Sequence, residues 1–244
     1  MSRASAASLV QLSIDRVVDE GQNVKTFVLE PAPGPMAEPL TYRAGQFLTL
    51  RLPVAAERPV MRSYSISTCP VSDPRLAITV KRNSAGAGSN WLYEQAAPGM
   101  TLEALPPAGH LTLDGSDSEI LLFAAGVGIT PLYSLCKYAL ASTDRHVRLH
   151  YSSRHRESTP FIASLEKLER AHSDRLRLDL RMTGADGRLD AEAIASIVSA
   201  AHSPTSYVCG PVAYTMMVVD GLIAAGHPPH RIRTDSSGPV PRTP

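Results

Sequence analysis

The feature that most constrains this chain is Gly126-Val127-Gly128-Ile129-Thr130-Pro131, which stands just after the apolar run Ile120–Ala124. A continuous apolar run of that length suits a parallel strand covered on both faces. Glycines between such a strand and a helix build a turn whose amide N–H groups can face a dinucleotide phosphate. Pro131 stands where such turns often carry a third glycine, and it fits a first helical turn, where its missing N–H is not needed. A glycine turn in any α/β domain is the plain alternative. The 17 residues Ile120–Cys136 carry no charge, which approaches the lower limit of about 17–25 residues for a membrane span. Gly126, Gly128 and Pro131 sit mid-stretch, where they would break a lipid-exposed helix, so strand, turn and helix are expected and membrane insertion is not.

Beyond this turn, helical and strand periods alternate. Leu132, Leu135, Cys136 and Ala139 make a helical stripe, Val147, Leu149 and Tyr151 alternate as a strand, and Phe161, Leu165 and Leu168 return to helical spacing. Leu176, Leu178 and Leu180 alternate again, Tyr207–Cys209 ends a strand, and a last helix starts at Pro211. That helix carries Val212, Met216, Val219 and Ile223 on one face, expected to be its core face, and stops at Gly226 before Pro228 and Pro229. Strands alternating with helices predict a doubly wound parallel sheet. Upstream the pattern differs. Leu9–Val18, Val24–Leu29, Phe47–Leu52, Val60–Ser67 and Leu76–Lys81 read as short strands between Pro- and Gly-rich loops, Pro106–Gly109 among the loops. Such strands predict an antiparallel sandwich or small β-barrel. One short helix is expected at Ser89–Ala96, capped by Ser89. Two domains are therefore expected, residues 1–115 and 116–244.

A formal net charge of +1 argues against nucleic acid or an anionic membrane as partner. The three cysteines, Cys69, Cys136 and Cys209, are too few and too scattered for a disulfide framework, a zinc site or a [2Fe–2S] cluster, and no metal site is expected. Met1–Ser13 lacks a continuous apolar core, so no signal peptide is expected, and a reducing cytoplasm is the natural compartment. His150, His155 and Asp144 read as solvated surface groups.

Three further segments carry chemistry. In Arg62-Ser63-Tyr64-Ser65, a guanidinium suits a phosphate, a tyrosine ring offers a stacking plane and Ser65 adds a small donor and acceptor. Taken alone, the same residues suit an exposed arginine and a half-buried strand tyrosine. Gly86-Ala87-Gly88-Ser89 precedes the short helix, where close backbone approach and unpaired N–H groups favour an anion, or where a plain flexible loop ends in a cap. Cys209-Gly210-Pro211 falls at a C-terminal strand end, the ligand side of an open α/β sheet, although a small core cysteine reads the same way.

Together and in this order, these motifs resemble the ferredoxin–NADP⁺ reductase superfamily over about residues 8–240. Arg62–Ser65 is similar to its R-x-Y-[ST] flavin signature, Val80-Lys81-Arg82 with Gly86–Ser89 to its second flavin segment, Gly126–Pro131 to G-x-G-x-x-P, and Cys209–Pro211 to C-G-P. The resemblance implies a flavin-binding barrel followed by an NAD(P)-binding α/β domain, with FAD as cofactor and NADH or NADPH as electron donor. It implies Arg62 at the flavin phosphate, Tyr64 stacked on the isoalloxazine, Ser65 near flavin N5, and Ser63, Val80, Lys81, Gly86, Gly88 and Ser89 along the FAD. Gly126, Gly128, Thr130, Pro131, Gly210 and Pro211 would hold NAD(P)H, with Cys209 beside the nicotinamide. Two departures stand out. Where relatives end in an acidic residue and a phenylalanine, this chain reads Asp235-Ser236-Ser237-Gly238-Pro239, with Asp235 in the acidic place and no aromatic to cover the flavin. The iron–sulfur domain fused to many relatives is not seen, so electrons are expected to leave to a separate ferredoxin or oxygenase component, a small acceptor, or a domain outside this chain. A flavin-holding subunit that does not itself oxidise NAD(P)H, and a non-catalytic docking module, are the competing expectations. After Tyr151, Arg154 is the residue placed to meet a 2′-phosphate and no carboxylate appears before Glu157, yet the Ser-Arg-Glu element of strict NADPH enzymes is absent near Met182–Asp186. Use of both coenzymes is the expectation.

Overall fold

The computed structural model describes residues 9–34, 40–55, 58–116 and 118–235. Six strands, β1 (Val10–Asp19), β2 (Val24–Pro31), β3 (Phe47–Leu52), β4 (Val60–Ser65), β5 (Leu76–Lys81) and β6 (Thr101–Ala108), form one sheet in the order β4-β3-β6-β1-β2-β5. Every pairing in it is antiparallel. Its two edges meet where Ile66 bridges Ile78 and the Ser67 N–H donates to Ala77 O at 2.9 Å, which closes the sheet into a barrel. Beside this seam, helix α1 (Ala87–Gln95) packs on both edge strands and puts Leu92 into the barrel core among Leu48, Leu50, Leu52, Ile78 and Val80.

The expected loop at Pro106–Gly109 is instead mostly strand. Pro106 and Pro107 fall between the pairs Thr49↔Leu105 and Phe47↔Ala108, where β6 carries one residue more than β3. That bulge accommodates two residues without N–H donors. On its other side, β6 pairs with β1 only over Thr101–Ala104.

The second sheet is parallel and runs β11-β10-β7-β8-β9. Its strands are β7 (Ile120–Ala125), β8 (Val147–Ser153), β9 (Leu176–Met182), β10 (Thr205–Cys209) and β11 (Ile232–Thr234). Helices α2 (Ile129–Ser142) and α3 (Ile162–Ala171) cover one face through Leu132, Leu135, Cys136, Ala139 and Leu165. Helices α4 (Ala191–Ser199) and α5 (Val212–Ala224) cover the other through Ile194, Ile197, Val218 and Leu222. The chain winds from β7 through β8 to β9, then returns to the far side of β7 as β10. The C-terminal ends of β7 and β10 are thus the switch point where such sheets hold ligands.

Two expectations are corrected here. The stripe Val212, Met216 and Ile223 is about half exposed (50%, 52% and 48%). The core face of α5 is Val218 and Leu222, with Gly221 set so close to Ile194 that a Cβ would stand 2.7 Å from its Cδ1. His150 is buried in mid-β8, a strand paired on both sides, with its ring 6.1 Å from that of Phe123 on the neighbouring β7. Burial pushes its imidazole down to about 4, its Nδ1 has no partner, and its Nε2 lies 3.3 Å from Ser152 Oγ.

Barrel and parallel sheet are pinned together by Ser134 Oγ donating to Thr68 O at 2.5 Å and by an ion pair between Lys137 and Asp73. Gly45, at φ +88°, brings the chain against Leu111, where a Cβ would meet the carbonyl oxygen at 1.9 Å. Among the described residues no helix is long and apolar enough to cross a membrane.

Candidate active site

The barrel half of the site forms where β4 meets α1. Cross-strand partners share a sheet face, and Tyr64 lies opposite Leu48, Arg62 opposite Leu50. Both side chains therefore turn toward the helix that fills the seam. Gly88 lets α1 approach: a Cβ there would stand 2.8 Å from Arg62 Cγ and 3.4 Å from Tyr64 Oη. Arg62 is exposed, gives one donor to its neighbour Met61 O at 2.7 Å and makes no ion pair among the described residues, so its remaining donors are uncommitted. Burial pushes the Tyr64 phenol up to about 12, with the Arg62 guanidinium opposing, and the ring stays neutral. Ser63 faces the other way and bonds Thr49 Oγ1 at 2.9 Å. Ser65 is half-buried on that same outer face.

Ser89 is not the cap. The helix begins one turn earlier, with Gly86 at the N-cap, and Ser89 Oγ donates to Gly86 O at 3.0 Å and accepts from the Asn83 N–H at 3.2 Å. The first turn of α1 contains no acidic side chain and no side-chain cap, which leaves its amide N–H groups toward an incoming anion. Val80 places its side chain in the barrel core, so only its backbone is open to a ligand, whereas Lys81 is exposed.

Across the junction, the turn Gly126–Gly128 packs against β5. It is a single 3-10 turn leading straight into α2, with Gly126 at φ +54°. Tyr151 Oη donates to Gly126 O at 3.1 Å and Thr130 Oγ1 to Val127 O at 3.1 Å, while Pro131 is buried in the first turn of α2. Gly128 is where the two halves of the switch point touch. A Cβ there would lie 2.4 Å from Cys209 O and 2.7 Å from Gly210 Cα. Cys209 ends β10, Gly210 sits over the Tyr214 ring, and Pro211 is the N-cap of α5. Burial, with Asp235 adding repulsion, pushes the Cys209 thiol up to about 12. It is therefore a neutral thiol in ordinary buffers, suited to packing against a ring and not to nucleophilic attack. Asp235 is half-buried beside it, and Ser236–Pro239 lie outside the described residues.

Arg154 follows β8, exposed and without an ion pair among the described residues, while Arg156 is held by Glu166 at 2.6 Å. The Met182–Asp186 segment is a tight turn closed by Asp186 onto the Met182 N–H at 2.7 Å, and Gly184 packs on Arg154 O. Two clefts, of 720 and 530 Å³, open near Asp114 and Thr143. The larger lies at the N-terminal ends of β7 and β8, and neither is lined by a motif residue. Sheet polarity favours the motif cluster over both.

Sequence reasoning missed two groups of polar residues here. Tyr214, half-buried with its ring against Gly210, keeps its Oη buried near Ser152, and an aromatic residue one turn into a helix gave no signal of it. A run of hydroxyls, Thr26, Thr79 and Ser67, lies along the outer face of the barrel, joined only by tertiary pairing.

Residues 11–113 match the oxidoreductase FAD-binding domain family and residues 122–220 the oxidoreductase NAD-binding domain family. The chain is 36% identical over 226 residues to the ferredoxin reductase component of 3-ketosteroid-9-alpha-monooxygenase from Rhodococcus rhodochrous, covering 93% of this chain and 64% of that protein. It spans 64–65% of the length of the four such components it matches. Phthalate dioxygenase reductase superposes with a TM-score of 0.78 at 26% identity, covering 93% of this chain and 67% of that one. An Amycolatopsis cytochrome P450 reductase shares the fold with a TM-score of 0.79 at 24% identity, covering 96% of this chain and 73% of that one.

Proposed function

Because the chain belongs to the ferredoxin–NADP⁺ reductase superfamily, with an FAD-binding and an NAD-binding domain in that order, we propose that it takes hydride from NADH or NADPH and passes electrons to a separate acceptor. Bound FAD supplies the change from two-electron to one-electron transfer that a protein side chain cannot. One observation carries the reading. The uncapped start of α1, with Arg62 and Tyr64 seated against Gly88, stands across the domain junction from a glycine turn held on Cys209 and Gly210. The first is a seat for a phosphate and a flat ring, the second for a dinucleotide at a switch point.

In this reading Arg62 and the Gly86–Ser89 amides bind the flavin phosphates, and Tyr64 and Ser65 orient the ring. Gly126–Pro131 and Gly210–Pro211 seat the coenzyme, and the neutral Cys209 thiol aligns the nicotinamide by contact. Arg154 meets the coenzyme's ribose end. Catalysis is then mostly proximity and orientation. We divide the domains at 115/116, between the last barrel contacts and β7. The relatives named as ferredoxin reductase components support an electron-carrying protein as the partner, a ferredoxin or an oxygenase component. Three unpaired cysteines, two of them buried, support a reducing compartment, and we assign the cytoplasm.

The test is direct. FAD is added to purified protein, excess is removed, and NADH or NADPH is mixed in without oxygen. A yellow protein that bleaches supports the proposal. A yellow protein that neither coenzyme bleaches points to the flavin-holding subunit, and failure to take up flavin refutes the reading outright.

A further inference from the structure

Hydroxyl groups on three separate segments join a rim carboxylate to the strand that carries Ser65. Thr26 Oγ1 on β2 donates to Glu20 Oε1 at 2.9 Å, Thr26 Oγ1 meets Thr79 Oγ1 on β5 at 2.7 Å, and Thr79 Oγ1 meets Ser67 Oγ at 3.0 Å. Thr26, Thr79 and Ser67 are all buried, and Glu20 is half-exposed at the tip of the β1–β2 turn. The polarity of the chain follows from proton counting. A hydroxyl has a single proton, and Thr26 gives its own to Glu20. Thr79 must then donate to Thr26, and Ser67 to Thr79, with Ala77 O at 3.2 Å as Ser67's other acceptor. Within the hydroxyl chain each bond therefore points toward the carboxylate, while Ser67 shares its single proton between Thr79 Oγ1 and Ala77 O. Ile66, between Ser65 and Ser67, faces into the barrel core, so the two serines share the outer face that abuts the second domain.

We propose that Ser67, Thr79, Thr26 and Glu20 form a proton exit from the reaction centre to solvent. The inference rests on the proposed function and deepens it. When NAD(P)H is oxidised and two one-electron acceptors are each reduced once, charge balance releases one proton per NAD(P)H. In the proposed reading that proton would leave the flavin at the ring edge that Ser65 orients, two residues before Ser67, and would need a path outward. Passing along the chain, it enters at Ser67 while each hydroxyl hands its own proton to the next, and Glu20 delivers the last one to water. Around Glu20 stand Asp19 in the same turn, Tyr133 from α2, Tyr151 from β8, the Phe161 amide, and the Glu157 backbone packed on Gly21. Burial and Asp19 hold this carboxyl above its ordinary value, which helps it accept a proton, while the Thr26 hydrogen bond acts in the opposite direction.

The test bypasses the coenzyme. FAD-loaded protein is reduced with dithionite, freed of excess reductant, and mixed with ferricyanide in a stopped-flow cell containing a pH-indicator dye. Thr79→Val should slow the appearance of the proton at least about tenfold, Thr79→Ser should keep the wild-type rate, and formate should restore the rate of Glu20→Gln. Bleaching of the wild type by NAD(P)H is scored separately, so loss of the proposed function and loss of the exit are told apart. A second readout uses flavin-free protein. Infrared titration of the Glu20 carboxyl, assigned by its loss in Glu20→Gln, should move to higher pH in Thr26→Val. Should Thr79→Val fail to hold FAD, Ser67→Ala takes its place in the proton measurement. Wild-type proton release in the variant that holds FAD, or a Glu20 titration unmoved by Thr26→Val, overturns the proposal.

Discussion

Replacing Gly128 by alanine should separate the geometry of the switch point from its stability. The backbone of Gly128 lies at φ −63°, where alanine is unstrained, so the effect is steric alone. The added Cβ would meet Cys209 O at 2.4 Å, whereas ordinary contact begins at 3.4 Å, and the opposing atoms are main chain with no rotamer to yield. Turn and strand end must part by about 1 Å, and overpacking of this kind costs about 1–3 kcal/mol of folding stability. The larger consequence is catalytic. A displacement of about 1 Å between groups that position a reactant is worth about a hundredfold in rate, or about 2.7 kcal/mol of barrier. Stopped-flow reduction of bound FAD by saturating NADH measures it, with FAD affinity as control, since the barrel seat lies elsewhere. Gly126→Ala supplies the contrast: at φ +54° with nothing within 4 Å of its Cβ, it meets strain and no clash. It should cost about 1–2 kcal/mol in stability and much less in rate. If Gly128→Ala reduces flavin at the wild-type rate, the contact between the glycine turn and Cys209–Gly210 does not position the coenzyme.

Other outcomes follow from the same structure. Arg62→Ala should weaken FAD binding by roughly 10- to 150-fold, the worth of a charge-assisted contact of about 1.5–3 kcal/mol, as read by titration of flavin-free protein. Cys209→Ala should keep its FAD but slow flavin reduction about tenfold through looser alignment of the nicotinamide, and a wild-type rate would leave the thiol a packing residue. Steady-state kinetics with each coenzyme should give specificity constants within about a hundredfold of each other, because an exposed Arg154 without an ion pair among the described residues suits either ribose. His150 binds its proton less readily folded, at about 4, than unfolded, at 6.5. It therefore withdraws stability as pH falls from 6.5 toward 4, and His150→Leu should flatten denaturant-measured stability over that window.

The parts of the fold that were legible in the sequence are those written in local periodicity. Phe47–Leu52 and Leu76–Lys81 alternate and are strands with those bounds. The apolar run at Ile120 is the fully buried β7, and Gly226 ends α5 with φ +81°. Local rules failed where a neighbour overrode them. Pro106 and Pro107 punctuate like a loop, yet a bulge opposite β3 absorbs them. Helix α4 passed unread although Asp190 caps it, its carboxylate accepting from the Ala193 N–H at 2.8 Å. Four apolar residues at helical spacing on α5 look like a core face, but which stripe is buried depends on where α4 and the sheet lie.

The candidate site divides along the same line. Glycine turns, the Arg62–Ser65 strand and Cys209–Pro211 are each contiguous segments whose backbone needs show in their own residues. The order of these segments carried the resemblance that implied an FAD-binding domain followed by an NAD-binding one, the order in which the two domain families match. Which atoms face one another was decided only by the tertiary structure: that Gly88 admits Arg62 and Tyr64, that Gly128 touches Cys209, and that Thr26, Thr79 and Ser67 line up behind Glu20. The hydroxyl pairs are 53 and 12 residues apart in sequence, and no local pattern links them. A side chain's conformational needs are local and leave a mark in its neighbours along the chain. Its partners are set by strand register and by how barrel and sheet pack, and these exist only once the chain has folded.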